Sequence, residues 1–194
     1  MKYVIKDTSL HHPITQSPSI LMPHLPKIIY LSILFFSTLT LQGQESLLED
    51  YKIKWKNATE YTLEFARAMP EEEYSFKPAP EEMTFGEQLK HIAGNMVWLS
   101  SSYLNGAKTT LDPMNAGTSK KEIIAILEKS FAYAAVTVDH LNEKMLSQNV
   151  NFTAGIMTKR RILLLMTDHV THHRGQLVVY MRLNGIKPPD YVGW

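Results

Sequence analysis

The stretch Thr167-Asp168-His169-Val170-Thr171-His172-His173-Arg174-Gly175-Gln176 decides how this chain is read. It lies inside a long apolar-periodic segment that reads as the last helix. Helix positions four apart lie one above the other, so His169 and His173 can aim their imidazoles at one spot. Their seam runs Ile162, Met166, His169, His173, Gln176, Tyr180, Leu183, in steps that alternate between four and three. That spacing marks a core-facing stripe. An imidazole aimed at a core needs a partner, because a buried polar group without one is costly. A metal ion is one such partner.

Working outward, the chain has 194 residues, room for one domain with a real core. Net charge is +1 and no basic block is present, so a nucleic-acid partner is not expected. There is no cysteine, which removes thiolate ligands, disulfides and cysteine nucleophiles together. The eight histidines and the carboxylates remain as ligands.

The first forty-odd residues differ from the rest. Residues 28–41 (IIYLSILFFSTLTL) are an uncharged apolar run between Lys27 and Gln42-Gly43-Gln44-Glu45. A membrane span needs about 20 such residues, so the run is short for that and fits the apolar part of a secretory signal. Residues 1–43 are therefore read as a leader cleaved after Gly43, and residues 44–194 as one exported domain, periplasmic or extracellular. Met22 opens a more ordinary signal than Met1 does, and we take it as the expected start. The alternative is a membrane anchor that is retained.

Four helices follow. Leu48, Tyr51, Trp55, Ala58, Thr62, Ala66 and Met69 fall three or four apart, and Pro70 stops that segment. After a proline-punctuated loop, Thr84-Phe85-Gly86-Glu87 forms a capping box for a second helix to about Leu104. Its stripe is Phe85, Leu89, Ile92, Met96, Leu99, Tyr103; His91 lies on the flank with Asn95, Trp98 and Ser102. The loop from Ala107 to Thr118 is long enough to cross a bundle. Thr118 is the expected cap of a third helix running to about Ser147. A polar loop, Gln148 to Gly155, leads to the fourth, which ends at Asn184-Gly185. No alternating strand pattern of useful length is visible. The expected fold is all-α, a four-helix bundle with one long crossover connection.

His91 is the one histidine of the second helix, and a bundle can bring it opposite the fourth. Three histidines with an open fourth position match a catalytic rather than a structural zinc site. Imidazole also suits nickel, iron and copper. His172 competes with His173, since it is three positions from His169, but it projects about 100° away on the line of Leu165, Asp168 and Val179. We take His173 as the ligand and His172 as a supporting or Asp168-paired residue. His11, His12 and His24 fall in the leader, and His140 reads as a surface residue.

His91 within Leu-Lys-His-Ile-Ala-Gly-Asn-Met-Val-Trp, the run Asp-His-Val-Thr-His-His-Arg-Gly-Gln, and the ending from Arg182-Leu183-Asn184-Gly185 through Pro188, Pro189 and Tyr191 resemble the DinB/YfiT-like family. The resemblance covers the chain from about residue 46. It implies a four-helix bundle with a long crossover and one divalent metal held by three histidines. These match His91, His169 and His173. Zinc or nickel is the first expectation for the ion, iron or manganese the next. The family includes transferases and isomerases that use low-molecular-weight thiols, along with many members of no assigned activity. A homodimer is also implied. The secretion signal departs from the pattern, since many relatives are cytoplasmic.

The expected function is a divalent-metal-dependent enzyme acting on a small molecule, either a hydrolase or a thiol S-transferase. Its open metal position would activate water or a thiol. Gln176 and Tyr180 continue the seam one and two turns on, within reach of a substrate, and Arg174 is a candidate for a substrate carboxylate. Packing or a surface salt bridge is the other role open to each. No HExxH motif supplies a general base, so the metalloprotease reading lacks its base. The alternative is an exported bundle that binds a metal or small ligand without turnover. A haem site would leave three convergent histidines unexplained, and no Cys-x-x-Cys-His signal is present.

Overall fold

Ser46 opens the first helix by accepting a hydrogen bond from the Leu48 amide. The computed structural model describes residues 46–194. The leader, the Met22 start and His11, His12 and His24 lie outside these residues. The described elements are α1 (Leu47–Ala68), a 3₁₀ turn (Glu71–Ser75), α2 (Phe85–Tyr103), α3 (Lys120–Asp139), the short α4 (Glu143–Leu146), strands β1 (Asn149–Phe152) and β2 (Gly155–Thr158), and α5 (Lys159–Leu183). None of these helices is long and apolar enough to cross a membrane.

The expected apolar stripes are the buried faces. Every stripe residue of α1 is buried, from Leu48 to Met69, and Phe85, Leu89, Ile92, Met96 and Leu99 of α2 are fully so. In α5, Ile162, Met166, His173 and Tyr180 are buried, whereas Leu183 is 60% exposed. The seam therefore ends one turn before the helix does. Tyr74 folds back as expected, with its hydroxyl donating to the Ala66 carbonyl at 2.5 Å and its ring edge-on to Phe85.

Helix directions follow from contacts between their ends. Lys120 Nζ at the start of α3 donates to the carbonyls of Arg67 and Met69 at the end of α1, so these helices are antiparallel. Gly86 lies against Ile123 near both N-termini of α2 and α3, while Gly106 lies against Tyr133 and Thr137 lower down, so α2 and α3 are parallel. Parallel neighbours need a connection that returns the full length of the bundle. The loop after α2 provides it. Asn105, at φ 63°, turns the chain. Tyr133 then holds the Ala107 carbonyl, and Lys90 Nζ holds that of Ala116. α5 runs antiparallel to α2. The fold is the all-α bundle expected.

Three local expectations are corrected. Ser119, not Thr118, caps α3, in a reciprocal capping box with Glu122. The third helix stops at Asp139 rather than near Ser147, because Asn142 takes an extended conformation and its side chain caps the separate turn α4. Residues 149–158 are a β-hairpin and not a loop, with Asn149 opposite Thr158 and Phe152 opposite Gly155. Four residues per strand are too few for alternation to stand out in the sequence. Gly155, at φ 110°, suits the tight turn.

The tail folds back over α1. Lys54 Nζ and the Asn57 side-chain amide donate to the carbonyls of Gly193 and Trp194, and Tyr191 stands edge-on to Tyr61. Its two largest rings stay mostly in solvent, at 68% and 71% exposure for Tyr191 and Trp194.

Candidate metal centre

α2 and α5 meet in an antiparallel register that brings His91 opposite the pair His169 and His173. The three ring centroids stand 4.8, 4.6 and 4.4 Å apart, close to an equilateral triangle. One ring nitrogen from each lies within 4.8 Å of the others, and this is the group of metal-type donors found among the described residues. His169 Nε2 and His91 Nε2 are 3.0 Å apart. Two nitrogens each about 2.0–2.1 Å from a tetrahedral zinc would stand roughly 3.3 Å apart, so the observed spacing is close to that edge.

The orientation of His173 is set by a directional chain of hydrogen bonds. Its Nδ1–H donates to Gln88 Oε1 at 2.5 Å and to Gln176 Oε1 at 2.8 Å. The Gln88 amide nitrogen points to the Tyr180 hydroxyl at 3.4 Å, and that hydroxyl donates to the Met83 carbonyl at 2.7 Å. A backbone carbonyl can only accept, so the whole chain has one polarity. The proton of neutral His173 is thereby fixed on Nδ1, which leaves the Nε2 lone pair free. Ligand histidines are commonly held this way by their second nitrogen. His169 Nδ1 is buried without a hydrogen-bond partner among the described residues.

The rings are held neutral. Burial first, then the neighbouring imidazoles of His173 and His91, pushes His169 down to about 4. Burial and His91 bring His173 down to about 4 as well, against an opposing hydrogen bond to Gln176. Burial also lowers His91. Neutral imidazole is the form that binds a metal. The donor set, its spacing and its protonation state all fit one divalent ion.

The other sequence candidates take different places. His172 is exposed, with its ring edge-on to that of His173 at 4.9 Å, and it is not part of the three-nitrogen group. Gln176 acts on His173 and Tyr180 acts on Gln88. Arg174 turns away from the histidines. It is 6% exposed, lies 4.7 Å above the Tyr61 ring of α1, and leaves Nη1 without a hydrogen-bond partner among the described residues. His140 is exposed and bonds the Val136 carbonyl.

Gln88 was not singled out from the sequence, yet it is fully buried and binds His173 directly. The available signal was a lone amide three positions before His91, beside the apolar stripe of α2.

The sequence model of the DinB family matches residues 43–193. The uncharacterized protein YjoA of Bacillus subtilis is 27% identical over 128 residues, covering 64% of this chain and 82% of its own. Among solved structures, a DinB-like protein from Bacillus cereus superposes with a TM-score of 0.66 at 24% identity, covering 74% of this chain and 97% of its own. The structure of YjoA gives a TM-score of 0.62 at 22% identity, with 75% and 99% covered. At these identities the structural likeness speaks to the fold, while the family match spans most of the chain. The chain belongs to the DinB family.

Proposed function

We propose that this protein is a divalent-metal-dependent enzyme acting on a small molecule, with His91, His169 and His173 as the ligands and one coordination position left for water or substrate. The observation that carries this is the polarised chain from Met83 through Tyr180 and Gln88, which leaves the Nε2 lone pair of His173 free beside two neutral imidazoles. A bound zinc or nickel ion would supply Lewis acidity there, lowering the pKa of a water or thiol in the open position. The chain's own contribution is to orient the three rings, keep them unprotonated at neutral pH, and shield one side of the site with the Gln88–Tyr180 network.

The site is open to both a hydrolase and a thiol transferase chemistry. Its donor group contains histidines alone, and Asp168, the nearest carboxylate in sequence, is exposed. Either chemistry would draw on the metal's own Lewis acidity, which would turn a bound water into hydroxide or a bound thiol into thiolate.

Metal analysis of the purified protein beside His169→Ala and His173→Ala is the test. About one equivalent of divalent metal in the parent, lost in both variants, supports the site; no metal after reconstitution overturns it. Turnover of thiol or ester substrates that disappears in His169→Ala supports an enzyme. Stoichiometric metal without turnover supports the second reading, a bundle that binds metal without catalysis. The signal-like leader leads us to propose export, which N-terminal sequencing of the secreted protein would check.

A further inference from the structure

Trp98 is a large apolar side chain that remains open to solvent, at 40% exposure. It is not loose. Its indole meets the Tyr103 ring edge-on at 5.5 Å and the Phe152 ring at 5.7 Å, and those two rings meet each other at 5.2 Å. Phe152 is brought there by the β-hairpin. An exposed indole held by two half-buried aromatics is a preformed stacking surface.

Its position relates it to the histidine triangle. Trp98 follows His91 by seven residues, so it sits on the same face of α2, about 10 Å further along the axis. Between them, Gly94 carries the crossover loop. A Cβ at Gly94 would lie 3.3 Å from Met114 Sδ, so this methionine, 52% exposed, sits close beside the face. The other end of the triangle is closed by Gln88, Gln176 and Tyr180. Met114 and Trp98 thus offer a molecule held at the histidines an apolar direction in which to extend.

We infer that Trp98, with Met114 at its edge, is the subsite for an aromatic or extended apolar arm of the substrate, whose donor group occupies the metal's open position. This rests on the metal reading above. The substrate class it points to is a small molecule with a ligating head and a ring or apolar chain roughly 7–10 Å away.

The test is calorimetric titration of the zinc-loaded protein with acetohydroxamate and with 4-phenylbutanohydroxamate, which share a metal-binding head and differ in the arm. The parent should bind the phenylbutyl probe at least about tenfold tighter, a typical gain for an aromatic contact with its buried area. In Trp98→Ala that advantage should fall to about twofold or less, with acetohydroxamate affinity and zinc stoichiometry unchanged. The Trp98 indole N–H resonance of the parent should shift with the phenylbutyl probe and not with acetohydroxamate, a readout that does not depend on any variant folding. If acetohydroxamate binds but the arm adds nothing and the indole signal stays still, the subsite is wrong and the metal reading stands. If neither probe binds zinc-loaded protein, the open position itself is wrong, and the subsite falls with it.

Discussion

Gln88 and His173 are joined by a 2.5 Å hydrogen bond across 85 positions of sequence. This bond ties the histidine-bearing side of α5 to α2 and sets which nitrogen of His173 carries the proton. In Gln88→Leu that proton loses its buried acceptor and keeps only Gln176. Zinc affinity should fall by about 10- to 100-fold, the usual effect of losing such a support. Competition with a chromophoric chelator would measure it. An unchanged affinity would show that Gln176 alone suffices.

Protonation should work against the metal-free fold in one pH window. His169 and His173 titrate near 4 when folded, below the ordinary value of 6.5. Between those limits the unfolded chain binds more protons than the folded one, so stability falls as pH drops from about 6.5 to about 4. Above that window, and below it, these two groups contribute no slope. Urea midpoints of the metal-free protein should therefore decline across it, and the decline should be shallower in a His169→Gln variant.

Helix starts should be separable contributions. Thr84 and Ser119 each close a reciprocal capping box with Glu87 and Glu122. Alanine at either position should cost about 0.5–2 kcal/mol in chemical unfolding. The two caps share no partner, so the double variant should show close to the sum. A double loss well below the sum would mean that one helix end frays in the parent.

Gly106 is the sharpest steric test of the crossover. A Cβ there would lie 2.5 Å from Tyr133 Oη and 2.8 Å from the Ser100 carbonyl, which itself accepts a hydrogen bond from the Gly106 amide. The backbone oxygen cannot move aside cheaply. Gly106→Ala should destabilise by about 1–3 kcal/mol. Gly175→Ala, whose Cβ would meet nothing within 4 Å, is the matched control and should be neutral or slightly stabilising.

Much of this was legible in the sequence because long amphipathic helices state their buried faces residue by residue. The α1 stripe from Leu48 to Met69, the Thr84 box and the Asn184-Gly185 stop are all where periodicity and capping chemistry put them. The convergence of His91 with His169 was expected from spacing and resemblance. What escaped was short or long-range. The hairpin has too few residues to show a period. Asn142 broke the third helix through one side-chain hydrogen bond, while the apolar spacing ran on through Leu141 and Met145. The role of Gln88 needed to be seen against α5, since a lone glutamine announces no partner. Arg174 looked available to a substrate until the rotation of α5 placed it over Tyr61.

The two sides of the histidine triangle come from α2 and α5, with His91 and His169 standing 78 positions apart. Neither helix alone can assemble the site, because α5 has to be docked on α2 first. An ion held by this triangle would thus be captured only after these two helices have packed together. The choice among competing metals would then be made by whichever compartment the chain completes its folding in, and by what that compartment supplies at that moment.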